Sequence, residues 1–172
     1  MAELKTREKA NKEEQQLVVL QMADEEYGIP ILQVQEIIPA AEITRIPNLP
    51  DFIEGVINLR GRIIPVIDLR KRFGLQVKGK DDKTRIVITE IIDQNQSAEE
   101  QSIGFMVDSI SEVIRVSREQ VDPLPPALSR IKSEYLNGIA KYGKRIVILL
   151  EIRKVLNDLE KITLEKIQKG GQ

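Results

Sequence analysis

The sequence predicts an all-β fold of two small barrels, each closed from about five short strands, and three observations carry that reading. The apolar residues are largely of one kind: 25 Ile and 13 Val stand against three Phe, three Tyr and no Trp in 172 residues. β-Branched side chains suit a pleated, half-buried surface, so this composition leans toward sheet. Apolar runs also come in hairpin-spaced pairs, at 55–59 and 63–67 around Arg60-Gly61, and at 138–142 and 145–150 around Gly143-Lys144. The third observation is an internal duplication.

Gly55 corresponds to Gly138, and without a gap Ile63, Ile64, Val66 and Ile67 correspond to Ile146, Val147, Leu149 and Leu150. Asp68-Leu69-Arg70-Lys71 then falls on Glu151-Ile152-Arg153-Lys154, all at an offset of 83. Upstream, Gly28-Ile29 falls on Gly104-Phe105, and Val34-x-Glu36-Ile37-Ile38 on Ile110-x-Glu112-Val113-Ile114, at an offset of 76. Leu17-Val18-Val19 matches Ile86-Val87-Ile88 at an offset of 69. Ile-rich strands resemble one another by composition, but ordered Gly, Glu and acidic-then-basic positions argue for true repeats, approximately 16–74 and 85–157. A unit of this size with about five strands suits a closed barrel, which leaves no open edge. Each unit alone would be marginal, so the two are expected to share an apolar interface. Each half can close on itself or trade strands with the other.

Taken in order, residues 1–15 carry eight charges and almost no large apolar side chain, which predicts a disordered lead-in. Strands are expected at 16–22, 26–33 and 43–47, with a short helix or turn at 34–38 and a Pro-punctuated loop at 47–51. Pro65 cannot donate to a ladder and is expected at an edge or bulge. Asp68 is placed to cap a short helix over 69–73, closed by Gly74. A polar linker at 76–83 precedes strands at 85–92 and 103–107, which flank a polar loop at 93–101. The Pro-rich segment 121–129 reads as irregular. From 151 to 167, Ile152, Val155, Leu156, Leu159, Ile162 and Ile167 fall near helical spacing. They predict an amphipathic helix, continued as a C-terminal extension at 158–172, packed against a barrel.

The composition closes much of enzyme space. No Cys and no His removes thiolate nucleophiles, disulfides, zinc fingers and the usual general base, so no metal or cofactor is expected. Charges of +26 and −27 with a pI of 5.7 argue against nucleic acid as a partner. No apolar run approaches the ~18 residues of a membrane span, and no signal-peptide core opens the chain. Asp68 and Glu151 each have an adequate role as a helix cap, which leaves little for a paired-carboxylate mechanism. Gly79-Lys80-Asp81-Asp82-Lys83-Thr84 lacks phosphate-loop order and reads as linker. Arg70-Lys71-Arg72 complements the end of its helix. Arg60 and Arg62, at the tip of a rigid turn, are able to fork onto a partner carboxylate.

That turn lies within Asn58 to Arg70, NLRGRIIPVIDLR, which closely resembles the signature segment of CheW-type chemotaxis coupling proteins. The resemblance runs over about 16–157, including the Val34-x-Glu36-Ile37 element and the region 103–116. It implies two SH3-like five-stranded barrels and a non-catalytic adaptor. The length leaves no room for the kinase core or receiver domain found in larger proteins with this domain. The implied partners are the cytoplasmic tip of methyl-accepting chemoreceptors and the regulatory domain of the CheA histidine kinase. The implied location is the cytoplasm, at membrane-bound receptor arrays. By resemblance, receptor contacts map to Val34, Glu36, Asn58 and Arg60, with Ile31, Ile103 and Val107 as apolar neighbours. Leu20, Ile29 and Phe73 are the candidates for the kinase face, or else part of the core. An SH3-like module for Pro-rich peptides is the alternative, although such grooves are usually lined by aromatic residues, which are few here.

Overall fold

The computed structural model describes residues 14–40, 42–92, 100–125, 131 and 133–155. Barrel I is a five-stranded sheet of β3 (Val34–Pro39), β4 (Ile53–Leu59), β5 (Arg62–Asp68), β6 (Arg85–Ile92) and β7 (Glu100–Val107), in the order β3-β6-β7-β5-β4. Barrel II is built from β1 (Gln15–Met22), β2 (Glu25–Pro30), β8 (Ser109–Val116), β9 (Val121–Asp122), β10 (Leu136–Tyr142) and β11 (Arg145–Leu150), in the order β8-β1-β2-β11-β10-β9. A single turn of helix, α1 (Leu69–Arg72), follows β5.

The repeats are therefore not the barrels. The first repeat sends β1 and β2 into barrel II and keeps β3, β4 and β5 in barrel I; the second does the reverse. The exchange preserves the duplicated register: Val66 pairs with Gly104 across β5–β7, and Leu149 with Gly28 across β11–β2, both in parallel. Of the two arrangements the repeats 16–74 and 85–157 left open, the halves trade strands. Both arrangements bury the same residues, but short crossings at 31–33 and Asp108 carry the chain between barrels instead of back onto its own strands. β9 gives barrel II a sixth strand, where barrel I has only the isolated bridge Thr44–Val56.

Three apolar clusters result. Ile57, Ile64, Val66, Ile86, Ile88 and Met106 fill barrel I. Leu17, Val19, Ala140, Val147 and Leu149 fill barrel II at positions matching Ile86, Ile88, Ile57, Ile64 and Val66, with Ile114 beside them. The third and largest cluster lies between the barrels, where Leu20, Met22, Tyr27 and Ile29 meet Ile67, Leu69, Phe73, Ile103, Phe105 and Val107. This layer is the shared interface that two marginal units need.

The hairpins form where expected, and their bulges explain two glycines. Gly55 and Gly138 sit at register shifts in β4 and β10 with φ of +142° and +125°. A Cβ at Gly55 would stand 2.1 Å from the Thr44 carbonyl oxygen, and one at Gly138 2.5 Å from that of Asp122. Pro65 lies in a strand paired on both sides, but the β5–β7 ladder begins only at Val66, so no bond is lost there.

Several elements differ from expectation. Residues 34–38 form strand β3, not a helix or turn, because β6 offers a ladder that outweighs local spacing. The expected strand at 43–47 is irregular apart from Thr44, with Pro47 unable to extend it. Ile31–Gln33 is a 3-10 turn rather than the end of a strand. Ser109–Val116 is a full strand, and Gln101 belongs to β7. Gln15, assigned to the lead-in, starts β1; residues 1–13 lie outside the described residues. At the other end Glu151 caps a 3-10 turn at Ile152–Lys154, and the rest of the expected helix, including 158–172, lies outside them too.

Candidate binding surface

The hairpin turn between β4 and β5 presents the sharpest local geometry in barrel I. Arg60 takes φ +53° and Gly61 φ +83°, the left-handed pair that a two-residue hairpin loop requires. Asn58 holds the turn by accepting the Gly61 N–H at 2.9 Å. A left-handed backbone costs a side-chain-bearing residue about 1 kcal/mol, so an arginine there is held against local preference. Its side chain is 72% exposed and reaches the Glu36 carboxylate on β3. Glu36 is brought there by a bulge between Val34 and Glu36 in the β3–β6 ladder. Because β3 and β4 are the two edges of the sheet, this ion pair spans the seam of barrel I.

A polar chain continues the seam. Arg62 donates to the Ser102 hydroxyl at 2.8 Å, Ser102 to Gln35 Oε1 at 3.3 Å, and Gln35 Nε2 to Glu90 at 2.7 Å. Val34 is half-buried against the inter-barrel layer, and Ile31 is half-buried on the crossing that leads into β3. Leu32 beside it is 97% exposed, at the rim of a cleft of about 440 Å³ that includes Pro30, Ile31 and Arg115. The structure thus brings Glu36, Asn58 and Arg60 together, with Val34 and Ile31 on the adjoining strand and turn.

Two expected receptor contacts, and the three residues left between a kinase face and the core, are all buried. Ile103 and Val107 are fully buried between the barrels, so neither offers a side chain to a receptor. Leu20 and Ile29 are buried in the same layer, and Phe73 stacks on Tyr135 at 5.4 Å with 7% exposure. All five belong to the core. Leu32 and Asp108 were missed, because neither exposure nor a long-range ion pair has a local signature.

Nothing in the described residues assembles chemistry. Asp68 accepts from the Arg70 backbone and side chain in barrel I, while Glu151 accepts from Arg153 and from Asn137 in barrel II. The two carboxylates serve separate caps. Among the described residues no group of three acidic or His/Cys side chains is placed to hold a metal ion, and no helix is long and apolar enough to cross a membrane.

Paired, strand-exchanged barrels with an ion-paired turn at one seam define a binding platform. Residues 16–160 match the model of the CheW-like domain. Chemotaxis protein CheW of Klebsiella aerogenes is 37% identical over 91% of this chain and 90% of its own, and that of Helicobacter pylori 34% identical over 88% and 87%. Among solved structures, the scaffolding protein TtCheW from Thermoanaerobacter tengcongensis superimposes with a TM-score of 0.73 at 40% identity, covering 83% of this chain and 88% of that one. The chain belongs to the CheW-like family of chemotaxis scaffold proteins.

Proposed function

We propose that this chain couples methyl-accepting chemoreceptors to the CheA histidine kinase within cytoplasmic arrays beneath the membrane. The receptor's cytoplasmic tip docks on Glu36, Asn58 and Arg60, with Val34 and Ile31 alongside. The observation that carries this reading is Arg60: a cation kept in a strained, exposed turn and aimed by Glu36, which takes only its Nη2 and leaves the other N–H groups facing outward to a partner carboxylate. The regulatory domain of the kinase, itself of this fold, packs on a different face. Leu20, Ile29 and Phe73 are too buried to form that face, so it is made by other residues. Contacts of ordinary size at micromolar strength gain avidity when many copies share an array.

The test is co-sedimentation of receptor-bearing membranes with the kinase, with and without this chain. Kinase recruitment that requires the chain, and is lost with Arg60→Glu, supports the reading. Equal recruitment without the chain overturns it.

A further inference from the structure

The chain crosses between the barrels twice, and the two crossings are built differently. At 31–33 the crossing is a 3-10 turn with Leu32 exposed and the buried Gln33 Oε1 without a partner among the described residues. At the other crossing Asp108 connects β7 to β8. Its Oδ1 accepts from Arg70 Nη1 at 2.7 Å, and its Oδ2 from the Ala23 N–H at 3.0 Å. Its own N–H donates to the Gln21 carbonyl at 3.1 Å. Ala23 and Gln21 belong to the β1–β2 hairpin of barrel II; Arg70 belongs to α1 of barrel I. Arg70 also forks onto Asp68 with two bonds of 2.9 Å and donates to the Lys78 carbonyl at 2.7 Å. The side chains of Arg70 and Asp68 are only 2% and 1% exposed.

The apolar layer between the barrels is held by non-directional contacts, which define an angle less sharply than directional bonds do. Charge-assisted bonds from a buried guanidinium define it sharply, because any rotation of one barrel breaks bonds that water cannot replace. We propose that Arg70 and Asp108 are positioning residues, an ionic bolt that fixes the angle between the barrels, so that a partner held on one barrel is felt by a partner held on the other. The second half of this proposal rests on the scaffold reading above; the first does not.

The sequence has no Cys, so Lys83→Cys in barrel I and Lys144→Cys in barrel II accept spin labels cleanly. Double electron–electron resonance then reads the distance between barrels in the full chain. Asp108→Asn keeps the shape and an acceptor for Ala23 but removes the charge; Arg70→Lys keeps the charge but removes the fork. In each variant that still melts cooperatively, the distance distribution is expected to broaden at least about twofold. Affinities for receptor fragment alone and kinase regulatory domain alone are expected to stay within about twofold. The kinase response to receptor in the three-component mixture is expected to fall at least about fivefold. A distribution unchanged in both variants overturns the bolt. Broadening with an undiminished kinase response overturns its role in coupling. If the wild-type chain binds neither partner, the scaffold reading fails, and the distance arm still decides the bolt.

Discussion

In barrel I two arginines of the β4–β5 hairpin divide work that a single arginine does in barrel II. Arg62 satisfies Ser102, which leaves Arg60 to reach Glu36 from the turn. At the matching places of barrel II, Arg145 takes the Arg62 position, Gly143 that of Arg60, Glu112 that of Glu36, and Glu26 that of Ser102. Arg145 is gripped by Glu26, at 3.0 and 3.1 Å, and by Glu112, and sits 5.7 Å from the Tyr142 ring. Glu26 first, then Glu112, holds its guanidinium well above the ordinary arginine value. Barrel II therefore commits its hairpin arginine to two carboxylates and has only Lys144 besides at the turn, while barrel I keeps a second arginine there, exposed and bonded to Glu36 through Nη2 alone, at the expense of backbone strain.

The same asymmetry recurs at the helix caps, and here a substitution should have its largest effect. Asp68–Arg70 is buried and tied to Asp108, whereas the equivalent Glu151–Arg153 pair leaves Arg153 63% exposed. The position matching Asp108 in the other crossing is Leu32, which offers Arg153 no second carboxylate. Arg70→Met should strand two carboxylates and destabilise by about 3–5 kcal/mol. Arg153→Met should cost less, about 1 kcal/mol, because Arg153 is largely exposed and Asn137 still holds Glu151. Urea denaturation of both variants checks the contrast; equal losses would show that burial at Arg70 carries no special weight.

The next effect tests what the barrels share. Gly55→Ala should cost about 3 kcal/mol and Gly138→Ala about 2 kcal/mol, the closer backbone oxygen at Gly55 setting the order. Thermal melts of the two variants check it. A silent Gly138→Ala would mean that the second bulge is free to relax and the repeats are less alike than their register.

These glycines also show what was readable in advance. The hairpins and the duplication were legible because φ-demanding glycines and cap residues hold fixed places in both copies. Strand exchange was not legible, since either pairing scheme sends Leu17, Val19, Ile86 and Ile88 to a barrel interior. β3 was misread because Val34, Ile37 and Ile38 fall at helical spacing, and only β6, some fifty residues away in sequence, decides otherwise. Ile103 and Val107 were misplaced for another reason, the one that also left Ile29 undecided between a face and the core. A strand facing one barrel interior on one side faces the other barrel on its second side, so alternation no longer distinguishes core from surface. The opposite signs of Glu36 and Arg60 already pointed to a pair; that the pair spans the seam of a barrel needed the closed sheet.

A smaller difference between the caps appears as pH falls. Burial opposes the charge of Glu151, but hydrogen bonds from Arg153 and Asn137 outweigh it and hold its carboxyl below the ordinary value. A depressed folded value contributes stability above the unfolded carboxylate range of about 4.3 and loses it as pH falls through the folded one. Glu151→Gln should therefore lie below the parent at neutral pH, with the gap closing toward acid. Denaturant midpoints of the two proteins across that range check the sign; a gap that widens toward acid would reverse it.

The smallest change in stability belongs to the residue that separates the two seams most clearly. Arg60→Gly gives barrel I the residue that barrel II already has at that turn. Glycine relieves the left-handed strain but frees the unfolded chain, and the exposed pair with Glu36 contributes little, so folding should change by less than about 0.5 kcal/mol. Receptor binding should weaken by about 1–3 kcal/mol, the scale of an interface residue whose charged partner loses its counterpart. Arg60→Glu should weaken it further, and charge reversal on the receptor should recover part of that loss. Binding of the kinase regulatory domain should stay level in both variants if, as proposed, it uses another face. Titration of each variant against receptor fragment and against kinase domain decides the matter. Undiminished receptor affinity in Arg60→Glu would remove Arg60 from the site, and the arginine that barrel I retains at the cost of strain would then need another partner.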